Sequence, residues 1–344
     1  MKSFKIITIV LLLAIVPMVF AACTTNTQEP ITPETTAVEV IETPTPAPTE
    51  APDNDTTPNP ADYEPALSST YIYNRTGVPI ALPPQINTII SIGPAPTEIL
   101  VELGFANNII STDFFSGTVS GLQPGISVLD MFALDLEHIL ALEPDVIFAT
   151  EMIHIPGTDD PLALVADLGI SVIYVPVSTS IEAIKDDIRF IAAITQADDI
   201  GETIIAEMTT EIASIREIAE TITTRRTVYF EISPPPHMVS FGHGTFLHEM
   251  MEAVGAVNVF ADLASWTPIA DEVLLEVNPE IILTSVDFID DPIGDILNRP
   301  GWDVIDAVAN SNVFAIDADS SSRPTHHIVH AMWEIARAVY PEYF

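Results

Sequence analysis

The chain has 344 residues, room for two ordinary domains once processed ends are set aside. Its 49 acidic and 11 basic residues give a formal net charge of −38. That excludes nucleic acid and direct binding to an anionic membrane surface, because both need a basic face.

Residues 1–22 read as a secretion signal: Lys2 and Lys5, an apolar core over 6–20, then Ala21 and Ala22. The apolar run is short for a membrane span and contains Pro17. Small residues directly before Cys23 are similar to a bacterial lipobox, in which Cys23 takes the lipid and becomes the mature N-terminus. The alternative is a plain signal peptide with a free Cys23. Cys23 is the only cysteine, so the folded part has no disulfide, no thiolate metal site and no cysteine nucleophile. Residues 23–67 are rich in Thr, Pro, Glu and Ala, with TPTPAPTEAP at the centre, and are expected to form a disordered stalk.

Residues 68–178 read as an N-terminal lobe. A hairpin is expected over 71–73 and 78–82, around the turn Asn74, Arg75, Thr76 and Gly77. A β-branched strand over 88–92 is broken by Gly93, Pro94 and Pro96; a helix over 97–103 ends at Gly104. A strand over 109–111 is followed by a loop over 113–130. A helix over 136–142 stops at Pro144, and strands over 146–149 and 172–175 flank a helix over 162–168. Strands alternating with helices imply an α/β fold with a mostly parallel sheet covered on both faces.

Residues 179–224 read as linking helices end to end. Thr179 with Glu182 predicts a capping box for the first, and Thr195 with Asp198 a looser cap for the second. Ile200, Ile204, Met208, Ile212, Ile215, Ala219 and Ile222 make one apolar stripe. Gly201 is a tolerable cost of about 1 kcal/mol. A helix from Gln196 to Thr221 would span roughly 39 Å, a strut between two lobes. Residues 225–344 then read as a C-terminal lobe. It has strands over 228–232, 281–284 and 313–316, helices over 246–254, 272–277 and 328–339, and a Ser-Pro-Pro-Pro breaker at Ser233.

The two halves repeat. EILVELGFAN at 98–107 matches EMMEAVGAVN at 249–258, and DLEHILALEPDVIFA at 135–149 matches ADEVLLEVNPEIILT at 270–284. Both pairs occur in the same order around the helical run, which implies duplicated lobes and a cleft between them. No nucleotide-binding, serine-hydrolase or zinc-protease motif is present. GHGTF at 242–246 could offer amides to an anion or simply start a helix. His326 and His330 have metal-capable spacing, but no third ligand stands near them in sequence, so no metal site is expected. In parallel sheets ligands lie beyond the strand carboxyl ends. Loops at those positions carry Pro94, Phe114, Phe115, Met152, His237, Phe241 and Arg323, with Met131 and Trp266 on loops nearby. Aromatic and Met side chains with few polar groups suit a large, partly apolar ligand.

On the segments IISIGPAPTEILVELG, LDLEHILALEPDVIFA, GTFLHEMMEAVGAVNVF and DEVLLEVNPEIILT, the chain resembles the solute-binding proteins of ABC importers for cobalamin, haem and ferric siderophores. The resemblance implies a periplasmic-binding-protein-like fold of two lobes joined by one long helix, with the ligand between them and no enzymatic activity. It implies a monomer whose partners are an ABC permease and its ATPase, held at the extracytoplasmic membrane face only through the lipid on Cys23. By position in the motifs, Glu137 and Glu272 would meet permease arginines. No intrinsic cofactor is implied; the cargo would be a cobalt or iron chelate. The cleft, rich in aromatics and with Arg323 as its single evident cation, favours a corrinoid, then haem or a neutral ferric siderophore. For haem, Met131, Met152 and His237 are axial-ligand candidates. The rival readings are an extracellular α/β hydrolase using His237 or His326, and a structural surface protein.

Overall fold

The computed structural model describes residues 71–73, 79–155 and 157–344; the signal, Cys23, the stalk and the turn at 74–77 lie outside the described residues. A short antiparallel hairpin of β1 (Tyr71–Tyr73) and β2 (Pro79–Ala81) comes first. The first lobe is then built on β3 (Ile89–Ile92), β4 (Ile109–Asp113), β5 (Ser127–Leu129), β6 (Val146–Thr150) and β7 (Ser171–Val175). They form one parallel sheet in the order β5-β4-β3-β6-β7. Helices α1 (Pro94–Leu100), α2 (Leu136–Ala141) and α3 (Ala163–Asp167) lie in its crossovers. Every residue of β3 and β6 is buried, as central strands of a sheet covered on both faces must be.

After β7 come α4 (Ile181–Thr195) and α5 (Asp198–Ala219). The second lobe has a parallel sheet of β8 (Thr227–Glu231), β10 (Val257–Asn258), β12 (Ile281–Thr284) and β13 (Val313–Ala315), ordered β10-β8-β12-β13. β9 (Val239–Phe241) and β11 (Trp266–Pro268) form a separate antiparallel ribbon. Helices α6 (Phe246–Ala253), α7 (Asp271–Val277), α8 (Pro292–Leu297), α9 (Asp306–Ala309), α10 (Ala318–Ser322) and α11 (Ile328–Val339) complete it.

Alternating strand residues feed separate cores. Ile90 and Ile147 pack under one face of the first sheet, and Tyr229 and Ile282 under one face of the second. Ile89, Phe148, Val228, Phe230 and Leu283 turn the other way, into one core shared by both lobes with α4, α5, α6 and α11. The lobes are joined by buried apolar surface as well as by chain.

The linking helices differ from the sequence expectation in three ways. Ser180, not Thr179, caps α4, accepting from the Ala183 amide at 3.1 Å; Glu182 pairs with Lys185 and Arg189 instead. Thr195 is the last residue of α4 and donates back to the Ile191 carbonyl at 2.8 Å, so α5 starts after Ala197 without a side-chain cap. The two helices are not end to end. Gln196 adopts a left-handed conformation with φ 58°, and the chain folds back so that Arg189 Nε donates to Glu202 at 3.0 Å. Gly201 sits where a Cβ would come within 2.7 Å of the Ala192 Cβ, although residues nine apart on a straight helix lie about 14 Å apart. The longer of the two, α5, has 22 residues and is about 33 Å long.

Other boundaries moved for local reasons. Pro94 opens α1 at the first turn, where its missing N–H costs nothing, so the Gly93 and Pro94 break is a helix start. The expected loop over 113–130 contains a short 3₁₀ turn, Phe115–Thr118, and β5.

The duplication is written in hydrogen bonds. Thr88 Oγ1 accepts from the Asp145 amide at 3.0 Å, while Asp145 Oδ2 accepts from the Thr88 amide at 3.0 Å. In the second lobe Thr227 and Glu280 repeat this at 3.1 and 2.8 Å. Just before the equivalent Pro144 and Pro279, Glu143 and Asn278 both turn left-handed, with φ 48° and 42°.

Candidate functional site

The chain past the strand ends of the first lobe is organised by one buried carboxylate. Asp113, the last residue of β4, accepts from the Gly93 amide at 2.7 Å, the Phe115 amide at 2.8 Å and the Ser116 amide at 3.3 Å, and from the Ser116 hydroxyl. It ties the turn after β3, where Pro94 starts α1, to the turn after β4. The second turn carries Phe114, 63% exposed, edge-on to Phe115 at 5.7 Å; Phe115 in turn meets Phe132 at 6.1 Å. Met152 follows β6 and is 49% exposed, whereas Met131 is 6% exposed and belongs to the core beneath.

In the second lobe the β9–β11 ribbon presents Trp266, 43% exposed. Its ring lies edge-on to Phe241 at 6.2 Å, and Phe241, fully buried, is backed by Phe230 at 5.5 Å. His237 is exposed in the turn between β8 and β9. The structure thus brings Phe114 and Phe115 together on one lobe and Trp266 and Phe241 together on the other. Met131 and Phe241 correct the expectation of an exposed ligand face: both pack behind the exposed rings, because the core extends to the strand ends there.

Arg323 also differs. It is not a free cation: its Nη1 donates to Glu98 Oε1 at 2.6 Å, and its Nη2 donates to Thr118 Oγ1 at 3.2 Å and pairs with Asp319 at 2.6 Å. The Thr325 hydroxyl donates to the other Glu98 oxygen at 2.8 Å. Glu98 lies on α1 of the first lobe and Arg323 follows α10 of the second, so this buried cluster bridges the lobes. Beside it His326 Nε2 lies 3.7 Å from Glu102. Burial, and then the neighbouring His327, lower the His326 pKa to about 4, so the ring is neutral at neutral pH. His330 Nδ1 faces Ser320 Oγ at 3.4 Å, and no group of three or more potential metal ligands is found among the described residues.

Sequence reasoning also missed the ion pair of Glu231, which ends β8, with Arg299. Both carboxylate oxygens are engaged, Oε1 at 2.9 Å, and the guanidinium lies 4.5 Å over Trp302. Burial pushes the Glu231 carboxyl up, against the opposing pull of Arg299. Nothing in the local pattern signals these partners. The GHGTF segment is a helix start: Thr245 caps α6, and a Cβ on Gly242 would meet the Leu263 carbonyl oxygen at 1.8 Å. Glu137 and Glu272 are both exposed, each the second residue of its helix, α2 and α7. A groove of about 420 Å³, lined by Lys185, Arg216 and Glu249 among others, lies between α4, α5 and α6, away from the strand ends.

Residues 89–320 match the family described as periplasmic binding protein. The chain belongs to that family. This periplasmic binding protein is 26% identical over 298 residues to the uncharacterized ABC transporter substrate-binding lipoprotein YvrC of Bacillus subtilis, covering 83% of this chain and 92% of that relative. It is 25% identical over 277 residues to the vitamin B12-binding protein of Vibrio cholerae, covering 78% and 94%. Among solved structures, a possible iron-binding periplasmic solute-binding protein from Staphylococcus epidermidis superposes with a TM-score of 0.66 at 27% identity, over 74% of this chain and 99% of that one. No helix among the described residues is long and apolar enough to cross a membrane.

Proposed function

We propose that this periplasmic binding protein is the lipid-anchored receptor of an ABC importer, and that it captures a cobalt or iron chelate between its lobes. A corrinoid is favoured, then haem or a neutral ferric siderophore. The observation that carries the reading is an exposed aromatic group on each lobe: Phe114 with Phe115 after β4, and Trp266 on the β9–β11 ribbon, backed by the buried Phe241. Large exposed rings held by buried partners suit a broad, partly apolar ligand, and rings already fixed by packing bind at lower entropic cost. The vitamin B12-binding and possible iron-binding proteins named above support the same ligand class. Met152 and His237, both exposed, are the remaining axial candidates for haem.

Delivery would use Glu137 and Glu272. Their equivalent places on α2 and α7 offer one exposed carboxylate per lobe to permease arginines. Cys23 would carry the lipid, and residues 23–67 would let the lobes stand off the membrane. Titration calorimetry of the purified chain with cyanocobalamin, haemin and a ferric trihydroxamate tests the capture step. Saturable one-to-one binding of at least one is expected, and silence with all three refutes the ligand class.

A further inference from the structure

The bridge at Arg323 carries a consequence for ligand charge, resting on the chelate reading above. We propose that Glu98 is a specificity-determining residue: by neutralising Arg323 beside the aromatic loop it leaves the cleft no cation for added ligand carboxylates or catecholates, so that the less anionic of two related chelates is selected. The guanidinium touches two carboxylates, Glu98 and Asp319, each at 2.6 Å. Asp319 in turn feels Asp317, Glu98 and Asp287; burial first, and then these three, raise its pKa against the pull of Arg323. Two carboxylates against one guanidinium leave the contact itself net negative. Thr118, which also accepts from Arg323, closes the 3₁₀ turn that begins at Phe115, so the bridge adjoins the exposed rings.

An anionic ligand group reaching Arg323 would have to displace Glu98. Glu98 is buried, with its other oxygen held by Thr325, so its displaced charge would have nowhere to go. Rejection by an internal carboxylate is specificity through repulsion rather than through added contacts. The remaining strand-end loops reinforce it, since Asp130, Glu151, Asp287 and Asp290 are all acidic and exposed.

The test compares two pairs of ligands that share a skeleton and differ in charge, and a third pair of ferric siderophores that differ in charge. The purified full chain is titrated with cyanocobalamin and its amide-hydrolysed tricarboxylate, with haemin dimethyl ester and haemin, and with a neutral ferric trihydroxamate and a trianionic ferric tris-catecholate. In every pair that binds, the less anionic member is expected to be favoured at least 100-fold at low salt, with the ratio shrinking at 0.5 M NaCl. Glu98→Gln is expected to narrow that ratio at least tenfold, mainly by tightening the anionic member. Asp319→Asn, at a more exposed position, shifts it the same way by less and serves if Glu98→Gln does not fold. An anionic member bound as tightly as its neutral partner, or a ratio unmoved by the variants or by salt, overturns the charge selection while leaving chelate capture intact. Absence of binding by all six overturns the capture reading and this inference together.

Discussion

Glu231 and Arg299 show what a buried charge demands. Both carboxylate oxygens and the guanidinium are removed from water, and each is tolerated only because the other is present. Glu231→Ala would leave the Arg299 charge with only the half-exposed Asp295. A loss of about 3–5 kcal/mol in urea-unfolding free energy is expected; a loss below about 1 kcal/mol would mean the pair is not intact in solution. His326 gives a pH dependence. Its folded pKa of about 4 lies below the unfolded value of about 6.5, so the unfolded chain binds the proton first. The stabilisation is complete above pH 6.5 and is lost as pH falls towards 4, in total about 3 kcal/mol. His326→Gln is expected to flatten the difference in urea midpoint between pH 6.5 and pH 4; an unchanged slope would show that other groups set it. None of these pairings was legible in the sequence. Glu98 and Arg323 are 225 positions apart, and local patterning reports that a residue is buried or polar without naming its partner.

At the scale of elements the reading from sequence went further, because strands and helices are encoded by neighbours. The β-branched runs became β3, β6, β8 and β12. The two matched segment pairs became the same staple in both lobes, with Asp145 on Thr88 and Glu280 on Thr227. The corner between α4 and α5 was not legible, because two amphipathic helices in series look alike whether straight or folded back. Gly201 was the signal. As a helix interior residue it is only a cost, but against Ala192 it permits the close crossing. Gly201→Ala is therefore expected to lower the thermal midpoint, losing about 1–3 kcal/mol to overpacking despite a propensity gain of about 1 kcal/mol. Ala192→Gly in the same chain would restore part of it. A Gly201→Ala chain more stable than wild type would contradict the corner. Of the residues named from loop composition, Phe114, Met152 and Trp266 are exposed, while the burial of Met131 and Phe241 needed the packing to be seen.

For the whole molecule, the shared core and the Glu98–Arg323 bridge join the lobes on two counts, so ligand capture is expected to change the radius of gyration little. A large change in solution scattering on adding ligand would argue for a hinge that the shared core does not permit. The net charge of −38 makes self-repulsion a whole-chain property. Raising NaCl from 10 mM to 0.15 M shortens the screening length from about 30 to about 8 Å and is expected to raise the thermal midpoint; a fall would show that specific ion pairs outweigh the repulsion. The reading proposed above places a chelate between the aromatic residues of the two lobes. Phe114 and Trp266 are 63% and 43% exposed, so Phe114→Ala with Trp266→Ala alters folding little. The decisive measurement is the affinity of this double variant for whichever chelate the wild-type chain binds, with the thermal midpoint followed in parallel. Each lost ring contact is worth about 1–2 kcal/mol, so a drop of roughly 30- to 1000-fold at an unchanged midpoint is expected. Undiminished affinity would place the ligand elsewhere on the molecule.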